Sequence, residues 1–203
     1  MQRAWTRLKS IIEPSWIWWL LIVLGVILRL RQYLINRSFW ADEASLAYNL
    51  VTRSFNGLTL PLDYQQGAPI GFLFIEKLSI IAFGNNEYAM RLFPLLSGIL
   101  AIYLLYWIAK MYFGISGLFA LVMFSVGWEL IYYSSELKQY SSDVMIALLL
   151  VYQASRCIGE NAGTKDFLLL GIGGVIAMWV SHPSAFVLAG IGLVLVLERM
   201  ARK

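Results

Sequence analysis

Residues 69–83 read Pro-Ile-Gly-Phe-Leu-Phe-Ile-Glu-Lys-Leu-Ser-Ile-Ile-Ala-Phe. Whether this run crosses a bilayer sets the direction of every segment after it. Its 15 residues make about 22 Å of helix at 1.5 Å per residue, short of a hydrocarbon core near 30 Å. Glu76 and Lys77 stand at its centre, where a span tolerates charge worst. The run therefore predicts a helix lying along the membrane surface, with Glu76 and Lys77 solvated or paired. Basic residues favour the same solution, because cytoplasmic loops carry the excess of Lys and Arg. With 69–83 on the surface, nine of the 16 basic residues are cytoplasmic and seven are outer. With it spanning, five would be cytoplasmic and ten outer.

Working outward, the composition is that of a membrane protein. The chain has 203 residues, 60% of them apolar and 14% charged, with a mean hydropathy of +0.69. An ordinary soluble domain carries about 25% charged residues, so soluble globular and disordered classes are excluded. Aromatic residues, 15% of the chain, suit interfacial belts. The net charge of +4 comes from residues at the ends of apolar segments, where topology explains them and nucleic acid does not. Cys157 is the single cysteine, so no intrachain disulfide and no cysteine-based metal cluster can form.

Arg3, Arg7 and Lys9 precede the apolar run Trp16–Leu28, and no Ala-x-Ala site follows it. This predicts a first membrane helix at about Ile12–Ile35 with a cytoplasmic N-terminus, not a cleaved signal. Arg29 and Arg31 are expected to snorkel to the outer interface. Further spans are expected at Leu92–Ala109, Met111–Trp128, Val144–Ser155, Phe167–Ser181 and Ser184–Leu197. The fold class is thus an all-α membrane protein with about six transmembrane helices, plus juxtamembrane helices in a first outer loop over Asn36–Met90. Residues 1–203 form a single membrane domain, with cytoplasmic turns at Lys110–Ser116 and Gly159–Asp166. Gly171, Gly173, Gly174, Gly190 and Gly192 mark close helix packing. A glycine-rich phosphate loop would need a preceding strand.

This topology puts eight of the twelve acids outside, with His182. Ionisable groups beside a membrane are costly and usually functional, so any chemistry belongs to the outer face. Glu129 lies in an apolar run seven residues before Glu136, which predicts roughly one shared helical face. The first cluster is Ser38-Phe-Trp-Ala-Asp-Glu-Ala-Ser45, leading into an amphipathic stretch, Glu43–Phe55. Asp42 reads either as the N-cap of that helix or as a carboxylate general base at the membrane surface; the two are compatible. Glu43 would point elsewhere on the helix and orient an acceptor or hold a cation. The second cluster is Tyr132-Tyr-Ser-Ser-Glu-Leu-Lys-Gln-Tyr-Ser-Ser-Asp143. Lys138 suits either a phosphate or an interfacial snorkel, and Tyr140 either stacks on a sugar or anchors the interface. His182, between Ser181 and Pro183, has no second histidine to form a metal pair.

In order along the chain stand Leu28-Arg-Leu30, Trp40-Ala-Asp-Glu-Ala44, Gln66-Gly-Ala-Pro-Ile-Gly-Phe72, Phe83-Gly-Asn-Asn-Glu-Tyr-Ala-Met-Arg-Leu-Phe-Pro94 and Glu136-Leu-Lys-Gln-Tyr140. This series resembles the N-terminal half of GT-C glycosyltransferases, in the branch of protein O-mannosyltransferases and bacterial aminoarabinose transferases. The resemblance implies a juxtamembrane helix at 69–83 and a catalytic aspartate at Asp42, with Glu43 beside it. Trp40, Arg91, Glu136, Lys138, Tyr140 and His182 are the expected substrate-binding set. Some relatives carry an acid just before the proline of the juxtamembrane helix; here that stretch is Gln65-Gln66-Gly67-Ala68, so no metal ligand is assigned.

The implied reaction is an inverting transfer of a sugar from a polyprenyl-phosphate donor to an acceptor hydroxyl on a glycan, lipid or protein. It would take place at the outer face of the plasma (inner) membrane. Members of the family are typically more than twice this length, so the chain reads as the N-terminal part of such an enzyme, a split product or a degenerate relative. The rival class is a non-catalytic multi-pass scaffold or transporter-like subunit. Transporters usually show internal repeats, and none is visible here.

Overall fold

The computed structural model describes residues 15–158 and 162–201. The described residues form nine α-helices and short 3₁₀ turns, with no strand. In chain order they are α1 (Ser15–Leu34), α2 (Ala41–Thr52), α3 (Ile70–Phe83), α4 (Glu87–Phe113), α5 (Gly117–Val126), α6 (Trp128–Tyr133), α7 (Tyr140–Arg156), α8 (Thr164–Val180) and α9 (Ser184–Ala201). The protein is an all-α membrane protein. Among the described residues, three stretches are long and apolar enough to cross a bilayer: Ser15–Leu34, Glu87–Val126 and Ser184–Ala201. The expected start of the first helix at Ile12, the basic N-terminal residues and part of the 159–166 turn lie outside the described residues.

The 40-residue stretch Glu87–Val126 is a hairpin. Helix α4 starts on an Asn86 cap, whose Oδ1 accepts the Ala89 N–H at 2.9 Å; such caps satisfy an otherwise orphaned donor. It runs past Lys110 and turns at Gly114, whose φ of +49° is costly for any residue with a Cβ. Helix α5 then folds back, so Leu118 and Leu121 share a core with Ile102, Tyr106 and Ala109 of α4 and Trp18, Leu21 and Ile22 of α1. The turn falls at the glycine, beyond the expected end at Ala109, because lysine does not break a helix.

Helix α5 ends at Gly127, α6 has six residues, and residues 134–139 are not helical. Glu129 and Glu136 therefore do not share a helical face, and Glu129 is exposed. The break also corrects the reading of Arg29. It does not snorkel; it is 1% exposed and turned inward. There it donates to the Phe124 and Ser125 carbonyls at 3.2 and 3.4 Å. Those carbonyls end α5, where a helix has no partner of its own for them and cations are favoured.

Helix α7 packs along α4 and carries α8 and α9 through Ile146, Leu150, Ala154, Leu170 and Ala177. Helix α3, not among the candidate spans, packs on α2, α4 and α8. Gly71 permits the last contact, since a Cβ there would come within 2.7 Å of the Trp179 carbonyl. Lys77 is paired, donating to the Leu50 carbonyl at the end of α2 at 2.8 Å. Glu76 is neither solvated nor paired as expected. It is 0% exposed, and neither carboxylate oxygen has a hydrogen-bond partner. It lies on the buried face of the helix with Phe72, Leu73 and Ser79, and burial pushes its carboxyl well above the usual range.

Candidate active site

Helix α2 presents two adjacent acids. Successive helical residues are about 100° apart, so Asp42 and Glu43 cannot face the same way. Asp42 is half-buried at the surface and Glu43 is 0% exposed in the core. The cap of α2 is Trp40, without a side-chain bond, and Asp42 is the second helical residue. The reading of Asp42 as N-cap is thereby corrected. The helix starts two residues earlier, and the Asp42 carboxylate is free for other partners.

Those partners come from two loops. Asp42 Oδ2 pairs with Lys138 Nζ at 2.8 Å. Asp42 Oδ1 accepts from Gln66 Nε2 at 2.8 Å. Gln66 Oε1 in turn accepts from Lys138 Nζ at 2.7 Å, which closes a ring of three side chains. The hydrogen bond from Lys138, then that from Gln66, holds the Asp42 carboxyl below its ordinary value against a small opposing effect of burial. The side chain is 37% exposed, so the ionised oxygens remain reachable.

Glu43 anchors the ring from below. Arg91 grips it bidentately, Nε to Oε1 at 3.0 Å and Nη2 to Oε2 at 2.9 Å. The Leu137 N–H donates to Oε1 at 2.8 Å, which fixes the backbone next to Lys138. The cation that Glu43 holds is thus a guanidinium of the protein itself. Arg91 also donates to the Arg37 carbonyl at 2.6 Å, and Arg37 lies over the Tyr132 ring at 4.2 Å. Glu136 Oε1 accepts from the Trp40 indole at 2.7 Å, while its other oxygen is buried without a partner. Burial raises the Glu136 carboxyl, and the Trp40 bond offsets part of that. Trp40 itself is 52% exposed, so one aromatic face stays open beside Asp42.

Six expected site residues therefore meet: Trp40, Asp42, Glu43, Arg91, Glu136 and Lys138. Tyr140 flanks them at the start of α7, its ring 4.8 Å from that of Tyr133. His182 does not join. It is exposed at the α8–α9 turn, where its nearest charged neighbour of note is Asp143. Gln66 is the residue that sequence reasoning missed. A neutral amide gives no charge signal in the sequence. The loop behind it is firmly held: Asn49 Oδ1 accepts the Asp63 N–H at 2.9 Å, and Arg53 pairs with Asp63 at 3.0 Å. Tyr64 and Gln65 follow in the left-handed region, with φ of 59° and 55°. That conformation costs roughly 1–2 kcal/mol per residue and delivers Gln66 to Asp42.

A half-exposed, ionised carboxylate with a lysine and an amide fixed upon it, at one end of a membrane bundle, suits transfer chemistry on a polar substrate. The protein is a membrane glycosyltransferase. A family model described as dolichyl-phosphate-mannose-protein mannosyltransferase matches residues 67–203, more than half of the chain, and the chain belongs to that family. The match takes in Arg91, Glu136 and Lys138; Trp40, Asp42 and Gln66 precede it. No curated protein and no solved structure matches.

Proposed function

We propose that the chain transfers a sugar from a polyprenyl-phosphate donor to an acceptor hydroxyl, with inversion, at the extracytoplasmic face of the plasma membrane. The observation that carries this reading is the Asp42 carboxylate, which is partly exposed, ionised and fixed by Lys138 and Gln66. Each carboxylate oxygen has two acceptor sites, so one bond to each leaves room for a substrate hydroxyl. Asp42 takes the hydroxyl proton as the oxygen attacks the anomeric carbon. The new C–O bond forms as the bond from that carbon to the lipid phosphate breaks, and the phosphate departs with the electron pair. The exposed Trp40 face offers a sugar-stacking surface, and Glu136 sets its angle. Glu43 and Arg91 act as positioning residues, because both are buried away from any substrate. An acceptor on a glycan, lipid or protein fits equally.

The test is transfer from a polyprenyl-phosphate sugar in proteoliposomes. Asp42→Asn keeps the shape and removes the base, and the rate should fall by about 10²–10⁴-fold, the usual worth of a positioned base. Parent-rate transfer by this variant would refute the assignment of Asp42 as the base, and a parent chain that transfers no sugar would favour the scaffold.

A further inference from the structure

Arg29 is a buried cation without a carboxylate. Among the described residues, Arg37, Arg53, Arg91 and Lys138 each pair with an acid at that end of the bundle. Arg29, five residues before the end of α1, has the Gly25, Phe124 and Ser125 carbonyls and the Phe124 ring, 5.6 Å away, but no acid among the described residues. Its Nε is buried and has no acceptor. Removing a charge from water costs several kcal/mol, and three carbonyl dipoles supply no counter-charge.

Beside this guanidinium is a cavity of about 50 Å³, walled by Gly98, Ala101, Tyr133, Tyr140, Ser141 and Val144. A Cβ placed on Gly98 would meet Ser134 Cβ at 2.7 Å and Arg29 Nε at 3.4 Å, so the backbone packs closely there, and Arg29 itself lines the cavity beside Gly98. One water occupies roughly 10–15 Å³ on this measure. The cavity therefore holds a few waters or one tetrahedral anion. Tyr133, Tyr140 and Ser141 add hydroxyl-bearing side chains to its wall, and the Tyr133–Tyr140 ring pair lies where α6 and α7 part. Tyr140 is two residues from Lys138. The site thus lies close to the Asp42 ring, yet Lys138 is already committed to Asp42 and Gln66.

We propose that this cavity binds a phosphoryl group, with Arg29 Nε donating to a phosphate oxygen and the group entering between Tyr133 and Tyr140. Under the donor reading given above, on which this part rests, the group is the lipid phosphate. A free phosphate has the same chemistry.

The test uses the full chain in nanodiscs, with native mass spectrometry and three probes: polyprenyl phosphate, the neutral polyprenol and inorganic phosphate. Ala101→Val and Val144→Phe fill the cavity from opposite walls without touching Arg29, so a folding failure in one leaves the other. Arg29→Lys keeps the charge but loses the donor geometry. Polyprenyl phosphate should bind the parent at least about 10-fold more tightly than polyprenol. Each filling variant should lose about 10- to 100-fold, the worth of a charge-assisted hydrogen bond, and Arg29→Lys should fall between. Parent-like binding of polyprenyl phosphate by both filling variants would overturn the site while leaving the donor reading intact. Binding of neither phosphate species by the parent would also overturn it, the cavity then holding water only. Cavity-dependent binding of inorganic phosphate alone would support the phosphoryl site and count against the lipid donor.

Discussion

Glu43 and Arg91, 48 positions apart, form a two-pronged ion pair with contacts of 2.9 and 3.0 Å and side chains no more than 2% exposed. Breaking a buried pair leaves an uncompensated charge and costs about 3–5 kcal/mol. Glu43→Gln and Arg91→Met should each lower stability by that amount in thermal or denaturant unfolding. Transfer should be lost with the fold, and membrane extracts kept cold should retain part of it. A Glu43→Gln protein of parent stability with abolished transfer would instead make Glu43 a group that meets substrate.

Gln66 and Lys138 set the protonation of Asp42. Their hydrogen bonds depress its pKa in the folded protein, so the pairing stabilises above the unfolded value near 3.9. It is lost as pH falls through the lower, folded value. Removing either partner lets the Asp42 pKa rise, and the acid limb of the transfer profile should move to higher pH. Lys138→Met should move it further than Gln66→Leu, because the lysine contact is the larger cause. An acid limb that stays in place in both variants would detach that limb from Asp42.

Glu76 gives the opposite sign. Burial raises its carboxyl in the folded state, so native Glu76 keeps its proton where the unfolded chain has lost it. Stability should therefore fall as pH rises from about 4.3, the ordinary glutamate value, up through the raised native value. Glu76→Leu should flatten that slope and stabilise at neutral pH by at least about 1 kcal/mol, the usual cost of an unsatisfied buried polar group. Unfolding scans at several pH values give the answer. A parallel pair of curves would mean that Glu76 finds a partner in the membrane.

Topology is open to cysteine labelling. In a Cys157→Ser background, Leu60→Cys should react with an impermeant maleimide added outside the cell, because Leu60 is 62% exposed in the first loop. Ala162→Cys, between α7 and α8, should react only after permeabilisation. Labelling of position 162 from outside would invert the arrangement.

Length, hydropathy and charge made the helices and the short 69–83 segment legible, because those signals add over many residues. The pairing of the Trp40–Glu43 and Glu136–Tyr140 clusters was legible through the order of the matching pieces. Local switches were not. Asp42 stands two residues further into its helix than an N-cap does, a difference within the usual uncertainty of helix ends. Arg29 was sent outward because its acceptors exist only after α5 stops at Gly127 and folds beside α1. The expectation of a solvated or paired Glu76 fails because a helix with apolar residues on most sides gives little indication of which one turns inward. Gln66 depends on two residues in an unfavourable backbone conformation, which composition does not reveal.

The adjacency of Asp42 and Glu43 gives α2 a single rotational setting. At that angle one acid meets Lys138 and Gln66 while its neighbour meets Arg91 and the Leu137 amide. Any roll of the helix disengages both contacts together. The catalytic group therefore has no adjustable hinge of its own, and loosening α2 would silence the chemistry and unlock the bundle in one event. Loss of activity and loss of protease resistance should then follow the same thermal profile, with no temperature range in which an intact bundle carries an idle site.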